Sequence, residues 1–359
     1  MTLDIVQQRL HNQLLFQTKF TQPSQVVSWL GAVQSQDYAG AKWALAQRTN
    51  GLTDATIDQA FANGEILRTH MLRPTWHFVT PEDIRWMLAL TAPRVLTLLA
   101  YIDGQLELDK TVFKRTNAIL AKVLEGEKQL TRGELGLALQ SSGVKTDGLR
   151  LGHIMMHAEL DGVICSGARR GKQFTYALLE ERAPQAKTLE RDEALAELTK
   201  RYFTGHGPAT LQDFVWWSGL TMTDARKGIE FVKSQVEQEV INDQVYWFVT
   251  STSRGKTSPV VHLLPDYDEY TVGYTDRRAI FNILHTDKLD ARGSFLAQYT
   301  IVIDGKVVGT WKRTIKKNEV LIELVPFITL TKDQNQAIIA ATQQYSKFLG
   351  LPVQITKAA

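Results

Sequence analysis

One segment of the chain, residues 130–177, has a pattern that restricts the fold: two short helices, then two strands joined by a basic turn. Thr131 and Glu134 have the capping-box spacing that begins a helix, and a Ser-Ser-Gly sequence ends that helix at residue 143. The second helix, the two strands and the turn between them are predicted at 149–160, 163–166, 173–177 and 167–172. Two helices followed by a hairpin are typical of a winged-helix module.

The segments on either side carry related patterns. Before residue 130, helices are predicted at 3–17, 23–33, 41–47 and 57–62, strands at 66–70 and 75–79, and a further helix from Thr80. After a charged linker at 180–190, helices are predicted at 191–202, 211–217 and 223–231. From residue 237 the period becomes strand-like, with strands at 245–249, 260–264, 297–303, 306–313 and 320–325 and a closing helix at 334–349.

Together these patterns predict an α+β protein of three tandem winged-helix modules, followed by a β-rich subdomain with a closing C-terminal helix. The predicted boundaries are 1–115 for the first module, 116–185 for the second, 190–236 for the third and 237–359 for the subdomain.

Composition narrows the class of protein. With 359 residues and 44% hydrophobic residues, the chain can bury a large core or several. The net charge of +3 is compatible with a nucleic-acid partner. Cys165 is the single cysteine, so neither an intramolecular disulfide nor a cysteine-based metal cluster can form. Because no signal peptide or membrane-length apolar run is recognisable, we expect a soluble intracellular protein.

Gln34 and Gln36 stand two residues apart where one helical pattern stops, and a second pattern resumes at Ala41. We therefore expect helix, turn, helix, with both glutamines at a helix end, where a side chain can face a groove. Spacing alone favours a solvated or capping pair, since Gln334 and Gln336 repeat it near the C-terminus.

Two predicted hairpins carry cationic side chains that are candidates for contact with DNA phosphates. The first hairpin contributes Arg68, His70, Arg73 and His77, and the second contributes Arg169, Arg170 and Lys172. The alternatives are an ordinary polar strand face for the first set and a solvated turn for the second.

Two further groups were considered as metal or pocket residues. His153 and His157 are four residues apart on one predicted helix face, but no third ligand is obvious, so we expect a packed pair and no metal. An acidic and aromatic cluster is a candidate pocket wall or metal site, with internal ion pairing as the alternative; its members are Asp266, Asp268, Glu269, Tyr270, Asp276 and Arg277. The chain has no Walker loop, dinucleotide-binding loop or nucleophile elbow.

Taken together, these segments resemble the winged-helix DNA-binding family of AlkZ-like and YcaQ-like DNA glycosylases, which repair interstrand crosslinks and alkylated bases. The resemblance covers nearly the whole chain. Its most specific stretches are residues 31–36, 68–77, 156–167, 170–176, 207–220 and 264–270. In this family the catalytic motif is a glutamine, a usually apolar residue, then glutamine or aspartate. Gln34 and Gln36 match that motif, whereas Ser35 departs from it.

The resemblance implies a monofunctional DNA glycosylase that hydrolyses the N-glycosidic bond of N7-alkylated purines or crosslinked bases in duplex DNA. It implies Gln34 and Gln36 as catalytic residues, no cofactor, and a monomer in the cytoplasm at the nucleoid. The alternatives are a non-catalytic winged-helix DNA binder or regulator, and an enzyme that uses the acidic cluster near Asp268 on another substrate. A pure DNA binder would have no need of the glutamine pair.

Overall fold

The computed structural model describes residues 3–16, 20–250, 258–281 and 298–357, and it is a mixed α+β fold. Two expected element ends, Gln17 of the first helix and Ala297 of a strand, lie outside these ranges. The first part of the chain forms five helices and three strands: α1 (Ile5–Asn12), α2 (Pro23–Leu30), β1 (Val33–Gln34), α3 (Tyr38–Gln47), α4 (Asp54–Asn63), β2 (Leu67–Met71), β3 (Thr75–Val79) and α5 (Ile84–Gln105).

Helix α2 ends earlier than the sequence predicted, and this changes the place of the glutamine pair. Gly31 follows α2 with a φ of 82°, which an L side chain rarely adopts, so the chain leaves the helical path there. Residues 33 and 34 then form β1, which pairs antiparallel with β3 at the edge of a three-stranded sheet ordered β1-β3-β2. The expectation that both glutamines lie at a helix end is therefore wrong: Gln34 lies on an edge strand.

The second part closely follows the predicted order of helix, helix and hairpin. It forms α6 (Lys110–Leu124), β4 (Leu130–Thr131), α7 (Arg132–Ser141), α8 (Arg150–Leu160), β5 (Ile164–Ser166), β6 (Thr175–Leu178) and the short α9 (Leu179–Arg182). Thr131 caps α7 reciprocally with Glu134, as the capping-box spacing predicts. The three strands form a sheet ordered β4-β6-β5, so the hairpin gains a third strand from the start of α7.

The third part consists of α10 (Arg191–Gly205), α11 (Leu211–Ser218), α12 (Met222–Val232), a short 3₁₀ turn, β7 (Glu237–Ile241) and β8 (Gln244–Phe248). Strands β7 and β8 pair with each other in a sheet of their own. The predicted strand at 245–249 therefore belongs with the preceding helices, because Trp247 also bridges to Ala209 at the start of α11.

The last part is a five-stranded sheet and a long helix. It contains β9 (Val261–Leu264), α13 (Glu269–Val272), β10 (Thr300–Ile303), β11 (Lys306–Ile315), β12 (Val320–Pro326), α14 (Lys332–Leu349) and β13 (Val353–Lys357). The sheet order is β13-β12-β11-β10-β9, and β13 joins β12 in parallel.

The N-terminal helices and the C-terminal sheet share one hydrophobic core. Trp43 of α3 packs against Tyr345 and Phe348 of α14, with ring centroids 4.9 and 5.2 Å apart. Its indole N–H donates to the backbone oxygen of Leu263 at 2.6 Å. Because the first and last parts of the chain bury each other, the short β1 strand has a firm support behind it.

A second core joins the β2–β3 hairpin, α5 and helices α10–α12, and it contains the fully buried Trp86, Trp217 and Tyr202. Among the described residues, α5 is the one helix that is long and apolar enough, by length and composition, to cross a membrane. Some of its apolar side chains, including Met87 and Val95, are buried in the protein, whereas Leu98, Tyr101 and Ile102 are exposed.

Candidate active site

Gln34 is held in one orientation by groups on both sides. Its side chain is only 7% exposed, and its Oε1 accepts a hydrogen bond from Nη2 of Arg73 at 2.8 Å. In the antiparallel register Gln34 faces His77 of β3. Because the amide oxygen faces a guanidinium, the amide NH₂ end is left to donate to another group.

Gln36 lies two residues further on and is exposed. Its Oε1 accepts the backbone N–H of Trp76 at 3.4 Å, a long hydrogen bond. Between the two glutamines, Ser35 is fully buried and its backbone N–H donates to the oxygen of Trp76 at 2.8 Å. The buried Ser35 thus fixes the backbone positions from which the two glutamine side chains extend, although their amides bond to different partners.

A buried carboxylate supports the glutamine strand from behind. Glu269 is 0% exposed, and its Oε1 accepts the backbone N–H of Gln34 at 2.8 Å. Its Oε2 faces the ring N–H of Trp217 at 2.9 Å and Nε2 of His206 at 3.2 Å. Burial raises the pKa of this carboxyl, but the hydrogen bond and charge of His206, with the N–H of Gln34, together lower the pKa below its usual value. Glu269 is therefore an anion at neutral pH.

Three other members of the acidic and aromatic cluster, Asp268, Tyr270 and Asp276, are bonded to other groups of the protein. Asp268 forms a bidentate ion pair with the buried Arg48, with N–O distances of 2.7 and 2.8 Å. Tyr270 is fully buried and its hydroxyl donates to the backbone oxygen of Gly305. Asp276 pairs with its neighbour Arg278 at 2.6 Å. Internal pairing, the alternative considered from sequence, describes these residues, and Asp268 and Tyr270 do not line an open pocket.

The cationic residues of the first hairpin have unequal exposure. Arg68 is 6% exposed and lies between the rings of Trp76 and Phe174, 4.3 and 4.5 Å from their centroids. Burial lowers the pKa of its guanidinium to about 10. His70 is buried and bonded to Glu159 of α8. These two side chains brace the hairpin against the second part of the chain.

His77 is fully buried beneath the glutamine strand. Burial, with the charge of Arg73, lowers the pKa of its imidazole to about 3, so the ring is neutral at physiological pH. Its Nδ1 is 3.0 Å from the backbone oxygen of Thr75, while its Nε2 has no hydrogen-bond partner within the described ranges. A neutral ring adds no positive charge beside the guanidinium that holds Gln34.

Arg73 sits at the tip of the first hairpin, where it reaches both Gln34 and helix α11. Its Nη1 lies 3.4 Å from the backbone oxygen of Trp216. The hairpin tip comes this close because Gly219 has no side chain: a Cβ there would lie 2.0 Å from the oxygen of Leu72. The sequence analysis did not single out Trp216. The only signal near it was Trp217, which lies in one of the stretches that resemble the family.

The second hairpin keeps its positive charge closer to the surface. Lys172 is exposed, and Arg170 is paired with Glu134 at 2.8 Å with half of its side chain exposed. Arg169 lies over the rings of Tyr38 and Phe174 at 5.0 and 5.2 Å. Phe174 is shared with Arg68 of the first hairpin, so the two hairpins lie side by side.

The histidine pair is bridged by an acid rather than arranged around an ion. Asp103 of α5 contacts Nδ1 of His153 at 2.7 Å and Nε2 of His157 at 2.8 Å. Phe113 stacks on His157 with a centroid distance of 3.5 Å. Over the ranges that the structure describes, no group of three or more His, Cys, Asp or Glu residues is arranged to hold a metal ion.

A cleft of about 860 Å³ lies elsewhere, between α2, α10 and the start of α5. Trp29, Asp83 and Arg201 are among its lining residues, and neither glutamine is. Arg201 is committed to Asp83 and Glu197 by ion pairs of 2.5 and 2.7 Å. The cleft is therefore separate from the glutamine pair.

This arrangement of helices and hairpins matches the fold of a solved structure. The structure of the Streptomyces sahachiroi DNA glycosylase AlkZ matches it with a TM-score of 0.80, covering 98% of both chains at 23% sequence identity. At that identity the likeness shows the fold.

The sequence comparison is more specific. The chain belongs to the AlkZ-like DNA glycosylase family, whose model matches residues 27–348. It is also 26% identical, over 310 residues, to the interstrand DNA cross-link repair glycosylase of Streptomyces sahachiroi, covering 81% of this chain and 83% of that protein. The family and these relatives are DNA glycosylases, which are hydrolases, so the expected family is confirmed.

Proposed function

We propose that this protein is a monofunctional DNA glycosylase that hydrolyses the N-glycosidic bond of N7-alkylated purines or crosslinked bases in duplex DNA. In this proposal the three helix–hairpin segments act as winged-helix modules and bind the duplex, and the protein works as a monomer at the nucleoid without a cofactor. The observation that carries the proposal is the fixed orientation of the Gln34 amide on the edge strand β1. The amide oxygen accepts a hydrogen bond from the guanidinium of Arg73 at 2.8 Å.

The chemistry suits neutral amides. A purine alkylated at N7 is already cationic, so it can leave without a strong general acid, and positive charge then develops on the sugar. The base leaves as a neutral alkylated purine with the electron pair of the glycosidic bond. Water then adds to C1′ and releases its proton to the solvent, so what the protein must supply is a water molecule held beside C1′. With its oxygen engaged by Arg73, the Gln34 amide is left to donate through its NH₂ group, and the exposed Gln36 supplies a second amide two residues away.

Glutamine cannot accept a proton at neutral pH, so this site would act poorly on bases that are uncharged and leave badly. Selectivity for damaged bases would then follow from the leaving group as well as from shape. Glu269 contributes by holding the backbone of Gln34 in place from a fully buried position.

The test is incubation of the protein with duplex DNA that carries N7-methylguanine at one position, followed by alkaline cleavage at abasic sites. A double variant, Gln34→Ala with Gln36→Ala, controls for a contaminating enzyme. We expect strand cleavage at the lesion with the parent protein and far less with the double variant. Tight DNA binding without base release from any alkylated duplex would instead favour a non-catalytic DNA-binding protein.

A further inference from the structure

Trp216 is the exposed member of an otherwise buried aromatic group. Its neighbours Trp217 and Phe214 are fully buried, whereas Trp216 is 40% exposed. Its orientation is nevertheless fixed, because the indole N–H donates to the backbone oxygen of Val272 at 2.9 Å. An aromatic ring that is both exposed and held rigidly is a surface on which other groups can be arranged.

Two arginines from distant parts of the chain meet over this ring. The guanidinium carbon of Arg73 lies 5.6 Å from the ring centroid of Trp216, and that of Arg277 lies 5.7 Å from it. Both distances are within the range of cation–π attraction. The two guanidiniums are also close enough for the positive charge of Arg73 to act on Arg277.

Neither arginine has an acidic partner. Within the described residues, the guanidinium of Arg73 bonds to Gln34 and to the backbone of Trp216, and that of Arg277 bonds to the backbone oxygens of Thr271 and Thr275. No carboxylate is among these contacts. Nη2 of Arg277 is buried and has no hydrogen-bond partner in the described part of the chain, so two donors there are unused.

The electrostatic environment of Arg73 and Arg277 also favours the binding of an anion. Burial lowers the pKa of Arg73, and burial together with the charge of Arg73 lowers the pKa of Arg277 to about 10. The carboxylates whose fields act on these arginines are Glu269, Asp213 and Asp276. Glu269 and Asp213 are fully buried and bonded to other groups, and Asp276 is paired with Arg278. Partly buried cations without a counter-ion are costly, and an incoming anion would remove that cost.

We propose that Arg73 and Arg277, arranged over the Trp216 ring, form a phosphate-binding site for the DNA strand that carries the damaged nucleotide. The site adjoins the catalytic residue, since Arg73 binds Gln34 through Nη2. A backbone phosphate held there would fix the distance between the Gln34 amide and the sugar of a nearby nucleotide. This inference rests on the proposed function for its substrate, but it is tested by binding alone.

The experiment measures affinity for a duplex that carries 2′-fluoro-N7-methyldeoxyguanosine, because the fluorine disfavours positive charge on the sugar and so keeps the base attached. A series of such duplexes replaces one phosphate at a time by an uncharged methylphosphonate along the damaged strand. We expect Arg277→Gln to weaken binding on the order of ten-fold. We also expect it to reduce the salt dependence of log Kd by about one phosphate.

The decisive result is whether the effects of Arg277→Gln and of a methylphosphonate on the free energy of DNA binding are non-additive. At one methylphosphonate position near the lesion, Arg277→Gln should cause no further loss of affinity, because the phosphate it contacts is already neutral. If the effects of Arg277→Gln and of the methylphosphonate multiply at every position, the proposed site is wrong. This outcome is independent of base release: a parent protein that releases no base but shows the coupling retains the phosphate site and loses the glycosylase assignment.

Two other substitutions complete the design. Arg278→Gln is the matched control, because Arg278 is the next residue, is exposed and is paired with Asp276; it should show no coupling to any position. Trp216→Leu keeps both arginines but removes the ring. In this variant the non-additivity between Arg277→Gln and the methylphosphonate should disappear, whereas Trp216→Phe should preserve it. If Arg277→Gln lowers the melting temperature strongly, the comparison of Trp216→Leu with Trp216→Phe decides: equal coupling in both would overturn the role of the ring.

Discussion

The carboxylate of Glu269 accepts the backbone N–H of Gln34 at 2.8 Å, although 235 residues separate them in the chain. The same carboxylate receives the indole N–H of Trp217. A single buried anion therefore joins the strand of the candidate catalytic amide to helix α11 and to α13, the short helix between β9 and β10 of the C-terminal sheet. Activity in this protein is expected to depend on residues that never touch DNA.

The first prediction concerns the two glutamines. Gln34→Ala and Gln36→Ala should each reduce the single-turnover rate of base release about 10²-fold, because a lost water-positioning bond removes an oriented reactant. DNA affinity should change little. Gln36→Asp should keep part of the activity, since related proteins use a carboxylate there. Gln336→Ala, an exposed glutamine on α14, is the control, and alanine variants that match the parent rate would exclude the catalytic role.

The second prediction concerns Glu269 and pH. The pKa of this carboxyl lies below its ordinary value in the folded protein, where the stabilising contacts of His206 and Gln34 outweigh the effect of burial. Its contribution to stability is therefore complete above the unfolded pKa of about 4.3 and is lost as the pH falls through the lower, folded pKa.

Glu269→Gln should accordingly lower the free energy of unfolding at pH 7 by about 3 kcal/mol, because buried donors lose a charged acceptor. The difference from the parent should shrink as the pH falls below about 4. Urea unfolding followed at several pH values measures it. A constant difference across this range would mean that Glu269 is not charged in the folded state.

The third prediction separates exposed from buried cations. Lys172→Gln should weaken DNA binding and reduce the salt dependence of log Kd by about one, because an exposed lysine on the second hairpin can reach a phosphate. Arg68→Gln should leave the salt dependence unchanged and instead lower the melting temperature, since Arg68 is sandwiched between Trp76 and Phe174. Equal changes in salt dependence for both variants would contradict this division.

The fourth prediction concerns Asp103. Asp103→Ala should destabilise the protein by about 2 kcal/mol, because His153 and His157 would lose their common partner at the contact of α5 and α8. Treatment with a chelator should change neither the melting temperature nor the rate of base release. Loss of either property, with recovery on adding zinc, would instead identify the histidines as ligands.

The sequence was most informative where a local signal fixed a local structure. The capping box of Thr131 and Glu134 and the basic turn before residue 173 predicted α7 and the second hairpin closely. The run before Gln34 was misread because Val33 suits a helix face and a strand equally. The positive φ of Gly31, which decides between them, cannot be read from periodicity.

The candidate site was less predictable, because its contacts join residues that are far apart in the chain. Arg68 and His70 have the charge of DNA-contacting residues, but neighbouring aromatic and acidic side chains enclose them. Glu269 was recognised only as part of an acidic cluster, whereas its three donors come from β1, from His206 just after α10, and from α11. Trp216 gave no signal, since exposure distinguishes it from Trp217 and exposure is a tertiary property.

The packing of Trp43 against Tyr345 and Phe348 has a consequence for the synthesis of the protein. The helix that follows the glutamine pair, α3, is covered by α14, which is synthesised long after it. While translation continues, Trp43 has no partner from α14 and β1 has no Glu269 behind it. A nascent chain therefore carries Gln34 and Gln36 early but can form the candidate site only after Glu269 and α14 have been made, so shorter chains are expected to release no base.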